Sequence, residues 1–216
     1  MVEISEEIPF LWRLSTDNEQ GFSIVSMVIP IQTGADNLEH TIQTDVVSFN
    51  NEFSNEHDNV GDEVLEWNEE DLNLFLKLLS ERNAVHSAEN THTYRVDLSD
   101  PETIEIVHIV AAAGFGMALS VDDLLVDNPS DAVRPQVEPE VGARITLHTV
   151  DGYKRGVVVS SEDEEVVCVL QDRIKLEGQD NNLSDIHPHD LVVVKPYQLL
   201  PAVFSSNEPA PSDILH

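Results

Sequence analysis

The densest run of ligand-type side chains in the sequence is His187-Pro188-His189-Asp190. Two imidazoles and a carboxylate in four positions supply donors that zinc accepts, but a tetrahedral centre needs further ligands from elsewhere in the chain. Pro188 in such a short polar stretch points to a turn, and that reading is adopted. Asp58, Asp62 and Glu63 surround Gly61, yet they do not meet the spacing of a calcium loop, which sets oxygen ligands at alternating positions around a central Gly with a closing Glu. His108 falls on the apolar stripe of a helix and reads as a satisfied, partly buried histidine. Gly114-Phe115-Gly116 follows a helix instead of a strand and lacks dinucleotide-binding spacing. A Gly-x-Ser-x-Gly elbow, a Walker loop, His-Glu-x-x-His and paired cysteines do not occur. Cys168 is the sole cysteine and reads as a small apolar core residue. The Asn182-Leu183-Ser184 sequon carries no weight without a secretory signal. No catalytic residue, cofactor or metal ligand is assigned, and the chain is read as a non-enzyme.

Charge is the loudest global feature. The 216 residues hold 41 Asp and Glu against 11 Lys and Arg, a net charge of −30. Of these, 27 acids and 5 bases fall in residues 1–134, so the excess concentrates there. Such a charge opposes compaction at low ionic strength, and salt near 1 M screens it over about 3 Å. Three explanations arise: adaptation to a saline setting, a surface for a basic partner, or plain solubility. Residues 50–71 contain no Lys or Arg. Within them Glu56, Asp58, Asp62, Glu63, Glu66, Glu69 and Glu70 form the candidate partner-binding surface. Direct nucleic-acid binding is disfavoured, because counterion release needs clustered cations and Arg144, Lys154 and Arg155 are the only cluster. No run reaches membrane-spanning length, and the acidic start lacks a secretory layout. The expectation is a soluble protein, intracellular or within a virion.

The elements that must position these residues read as follows. Ile8 to Leu14 is a first strand anchored by Trp12. Phe22 to Ile31 is a second, ended or made an edge by Pro30. Thr41 to Phe49 is a third. Asn68 caps a helix whose first turn carries Glu69, Glu70 and Asp71, where the dipole favours anions. Leu72, Phe75, Leu76 and Leu79 form its apolar stripe. Thr91 to Leu98 is a strand. Asp100-Pro101 opens a second helix with Ile104, Val107, His108 and Ala111 inward. Ser120 caps a short third helix through Asp123 to Leu125. The first region is therefore expected to be α+β, an antiparallel sheet with two or three helices.

Beyond the prolines of residues 128–139 the pattern changes. Ile145 and Leu147 alternate with Arg144, Thr146 and His148, and Asp151-Gly152 marks a hairpin. Gly156-Val157-Val158-Val159 and Val166-Val167-Cys168-Val169-Leu170 read as buried strands, separated by a polar turn at Ser160 to Glu164. Ile174 to Leu176 and Leu191 to Val194 complete about five strands, the complement of a small closed barrel. The succession Val141-Gly142-Ala143-Arg144-Ile145-Thr146-Leu147, then Asp151-Gly152-Tyr153-Lys154-Arg155-Gly156 and the valine strands, resembles the SH3-like small barrels, including Tudor and KOW-type modules, over about a quarter of the chain. The resemblance implies a small β-barrel in the C-terminal part. It does not extend to an aromatic cage, since only Tyr153, with Tyr197 just outside, is at hand. No family resemblance attaches to the N-terminal part.

The expected organisation is an acidic α+β domain (1–127), a proline-containing linker (128–139), an SH3-like β-barrel (140–204) and a loose tail (205–216). The function expected is a non-enzymatic interaction or assembly component of a larger complex, such as a head or tail adaptor or accessory protein of a viral particle, with a salt-tolerant acidic surface. Its partners would be other protein subunits, including further copies of itself, or a basic protein surface. The alternative is a nucleic-acid mimic that inhibits a basic DNA-binding protein.

Overall fold

A computed structural model describes residues 2–5, 10–17, 22–33, 36–48, 62–81, 86–87, 93–126, 139–162, 164–176 and 185–202. Glu56, Asp58, the sequon, nearly all of the 128–139 segment and the 205–216 tail lie outside them. The chain forms two units, Met1–Met117 and Ala118–His216. The division falls ahead of the proline-containing segment, so residues 118–126 belong to the second unit.

Among the described residues, unit 1 contains two sheets. Strands β1 (Val2–Ser5), β7 (Thr93–Val96) and β6 (His86–Ser87) form one, in the order β1-β7-β6. The other is antiparallel, in the order β4-β3-β2-β5, with β2 Leu11–Asp17, β3 Phe22–Thr33, β4 Asp36–Ser48 and β5 Glu63–Glu66. Helix α1 (Glu69–Glu81) packs on helix α2 (Pro101–Phe115), and α2 packs on β3 and β4. The expected α+β arrangement of one sheet with two or three helices is therefore corrected. Thirteen strands and two α-helices occur among the described residues, and strands dominate both units. The expected third helix is a 3-10 turn, Asp122–Leu124, with Val121 at its cap position and no side-chain cap; Ser120 ends strand β8 (Ala118–Ser120).

Several local readings shift for physical reasons. Pro30 does not end β3, which continues to Thr33 beside β4. Trp67 N–H donates to Phe10 C=O, so alternation turns the even-numbered residues of β2 towards β5 and the odd-numbered ones towards β3. Val28, opposite Leu11, then faces β2, and Pro30 two residues on faces the same side, beyond the end of β2. Its missing donor costs no ladder bond there. In α1 the buried residues are Asp71, Leu74, Phe75, Leu78 and Leu79, a stripe turned from the expected one. Leu72 and Leu76 are only half-buried. Helix α2 begins as expected: Thr103 N–H donates to Asp100 Oδ2 at 3.3 Å and Pro101 holds the first position. It buries more of its circumference than one stripe, including Ile106, Ile109, Val110 and Ala112, because it covers a sheet and meets a second helix.

Unit 2 is a six-stranded sheet, β13-β9-β10-β11-β12-β8, with β9 Arg144–Thr149, β10 Gly152–Glu162, β11 Glu165–Leu170, β12 Leu191–Val194 and β13 Leu199–Pro201. β8 lies parallel to β12. The expected strand at Ile174 is a single bridge to Ile186, and β13 replaces it in the count. Between β12 and β13 stands a 3-10 turn, Pro196–Gln198. Laid flat, four strand spacings of about 4.8 Å would separate these strands by ~19 Å. Four connecting residues, three of them in a 3-10 turn rising about 2 Å each, cannot span that. The sheet must curl, bringing β12 round towards β9. A bulge between Val158 and Ser160 sharpens the bend. Ile145, Leu147, Val158, Val166, Cys168, Leu170, Val192 and Val194 fill the interior.

Candidate interaction surface

The described acidic candidates of unit 1 sit on β5, at Asp62 just before it, and at the start of α1. Asp62, Glu66, Glu69 and Glu70 are exposed, and Glu63 is half-buried. The structure thus groups five of the seven expected residues on one short strand and the helix that follows; Glu56 and Asp58 lie outside the described residues. Arg13, on the adjacent β2, meets this group: its Nε is 3.8 Å from Asp62, and its terminal nitrogen donates to Glu39 at 2.5 Å.

A buried anchor holds this strand-to-helix junction. Asp71 N–H donates to Asn68 Oδ1 at 2.8 Å, and Asn68 N–H donates back to Asp71 Oδ2 at 3.2 Å, a reciprocal cap. Asp71 Oδ2 also accepts from Trp12 Nε1 at 3.1 Å, within the core. Burial raises the Asp71 carboxyl above the usual carboxylate range, the Glu70 charge adds to this, and the bonds from Trp12 and Asn68 oppose it. The sequence shows Asp71 as one more first-turn anion. The single available signal was its place three residues after Asn68, where a capping box puts its reciprocal acceptor.

Around the anchor lies an aromatic cluster. Trp12 stacks on Trp67 with centroids 4.7 Å apart, and Trp67 meets Phe75 edge-on at 5.4 Å and Phe10 at 4.8 Å. Phe115 of α2 meets Trp12 edge-on at 5.6 Å. Trp67 Nε1 is buried and finds no hydrogen-bond partner among the described residues. His108 is satisfied as expected, its Nδ1 2.7 Å from Asp45 Oδ1.

In unit 2 the His187–Asp190 stretch is a structured turn. His187 N–H donates to Asp190 Oδ2 at 2.7 Å, His189 N–H to Leu170 C=O at 2.8 Å, and Leu170 N–H to Asp190 C=O at 3.0 Å. His189 takes φ 70°, an uncommon conformation outside glycine. Asp190 Oδ2 thus holds the turn through the His187 backbone, with the His187 imidazole Nδ1 4.0 Å from the same oxygen. Ring stacking of His148 on Tyr153 at 4.6 Å covers one face of the tyrosine that a cage would need.

Four cations of unit 2 pair with local acids among the described residues. Arg155 donates twice to Asp172, at 2.7 and 3.0 Å. Arg173 pairs with Asp185, Lys154 with Asp151 at 2.7 Å, and Lys195 with Glu165 at 3.2 Å. Hydrogen bonds from Lys154 and Arg155, helped by backbone N–H groups, lower Asp151 and Asp172, and the Leu176 N–H, helped by Arg173, lowers Asp185, all below the ordinary carboxylate value. Lys154 and Arg155, two of the three residues of the only basic cluster in the sequence, are therefore already engaged. Burial pushes the Cys168 thiol up to about 12, which makes it a poor nucleophile.

No protein-family model matches the chain, and no curated protein sequence matches it. No helix among the described residues is long and apolar enough to cross a membrane.

Proposed function

We propose that this chain is a non-catalytic interaction or assembly component that presents carboxylates to other protein subunits, of the kind that adaptor or accessory proteins provide in a viral particle. The observation that carries this reading is the uneven use of charge: Lys154, Arg155, Arg173 and Lys195 of unit 2 pair with local acids, while β5 and α1 display Glu66, Glu69 and Glu70 to solvent. The β13-β9-β10-β11-β12 order, with a 3-10 turn before the last strand, supports reading unit 2 as an SH3-like small barrel, a scaffold for contacts. Light scattering on eluted fractions at low and high salt tests the proposal. Discrete self-association, or a stoichiometric complex with a basic subunit, is the expected result. A strict monomer that forms no complex at any salt overturns it.

A second reading, mimicry of nucleic-acid charge, draws on the same exposed carboxylates. Competition with DNA for a basic DNA-binding protein decides it. Displacement that fades with rising salt supports mimicry, and none at low salt removes it.

A further inference from the structure

We infer that the outer edge of β5 is a docking site for one kind of partner: an extended, lysine- or arginine-bearing segment that adds to the sheet as a further strand. The inference rests on the interaction reading above and names the chemistry of the partner.

The backbone argument comes first. Trp67 N–H bonds to Phe10 C=O, and Trp12 lies opposite Leu65 and Leu14 opposite Glu63. Alternation turns the N–H and C=O groups of Glu63 and Leu65 towards β2, and those of Val64 and Glu66 away from it. Among the described residues β5 pairs with β2 alone. Exposed backbone donors and acceptors at a sheet edge are what an added strand binds.

The side chains then select the occupant. Val64 is 49% exposed and Leu65 37%, so both faces of the strand offer apolar contact. Glu66, Glu69 and Glu70 flank them with negative charge, and Asp62 lies beside them with Arg13 3.8 Å away. A second copy of this edge would bring carboxylates against carboxylates, which costs stability in a β-pair. Charge complementarity therefore favours a cationic strand, with side chains alternating between apolar contacts and the flanking acids. The junction is also held firmly: Asn68, Asp71 and Trp12 fix where α1 begins relative to β2. Little ordering would remain for the protein when the partner arrives.

The test uses the full chain and a fluorescent peptide of about eight residues alternating lysine with valine. Its anisotropy reports binding, and Trp67, next to β5, provides a second signal through intrinsic emission. Saturable binding that weakens roughly tenfold as salt is raised past physiological strength is expected. N-methylation of alternate peptide amides removes the donors on one edge of the added strand. One of the two methylation registers should lose affinity roughly tenfold, while the other should not. Val64→Pro should abolish binding, because it removes an outward N–H but no bond to β2. Glu66→Lys, which spares the backbone, should weaken it.

If neither methylation register matters, or if an alternating glutamate–valine peptide binds as well, the inference fails. Failure of wild-type binding to the lysine peptide overturns it as well. In each case a complex or self-association seen by light scattering would leave the broader reading standing, so the two fail separately.

Discussion

The two units solve the same problem, a stable β-rich body with an excess of acid, in opposite ways. Unit 1 buries its key carboxylate: Asp71 sits among aromatic rings and is bonded to Trp12 and Asn68. Unit 2 keeps its key carboxylates near the surface and matches them to cations, around an aliphatic interior. The difference teaches that a strongly acidic chain need not respond uniformly to pH or salt. Each unit should show the response of its own carboxylates.

The largest expected effect lies in the aromatic cluster. Trp12→Ala removes a fully buried ring and the donor to Asp71, and should destabilise unit 1 by about 3–5 kcal/mol, read from denaturant melts followed by Trp67 emission. A loss below 1 kcal/mol would mean the cluster is not what holds β2 to α1. In unit 2 the corresponding lever is Gly156. A Cβ there would sit 3.1 Å from Ile145 Cδ1 and 3.1 Å from the Val169 carbonyl oxygen, and the latter is backbone that cannot swing aside. Gly156→Ala should cost about 1–3 kcal/mol by circular dichroism melts, with Trp emission in the native state unchanged.

Smaller, but more diagnostic, is the contrast in pH. The folded state raises the Asp71 carboxyl, so the native form holds that proton more tightly than the unfolded chain. This contribution to stability is fully present below the unfolded value and is lost as pH climbs from about 4 through the folded value. Asp151, Asp172 and Asp185 are lowered, so theirs is present above about 4 and is lost as pH falls through their folded values. Both tryptophans of the sequence, Trp12 and Trp67, lie in unit 1, so their emission isolates its response. Asp71→Asn should flatten the loss seen by tryptophan, and Asp172→Asn should flatten only the acid limb seen by circular dichroism. Equal effects of both variants on both signals would break the comparison.

The smallest expected effect is that of a single surface ion pair. Arg155 is 61% exposed at its side chain, so Arg155→Lys should cost no more than about 1 kcal/mol despite the loss of a two-point contact with Asp172. A larger loss, measured at moderate salt, would show that unit 2 depends on its ion pairs as a network.

Much of unit 2 is legible in the sequence, because alternation and hairpin chemistry are local. Asp151-Gly152 marks the turn, and Gly152 takes φ 87° as expected. β13 is not legible as a strand, since three residues carry no period and their pairing with β9 is set by closure of the sheet. In unit 1 the caps at Asn68 and Asp100 are legible for the same local reason. The buried stripe of α1 is not. An acid at position 71 looks solvent-facing until Trp12, 59 positions away in sequence, supplies its donor. The surface residues show the same divide. Acid density flags Glu63, Glu66, Glu69 and Glu70, but which backbone groups turn outward on β5 depends on pairing with β2.

Pro30 has a further consequence for behaviour in concentrated solution. Past Val28 the hairpin of β3 and β4 runs on beyond the described residues of β2, and among those residues β3 has no partner on that side, the kind of edge on which other strands can pair. The pyrrolidine ring falls on that side and removes the amide such pairing would recruit. Pro30→Val would restore that amide, and faster turbidity growth in concentrated solution is the expected outcome.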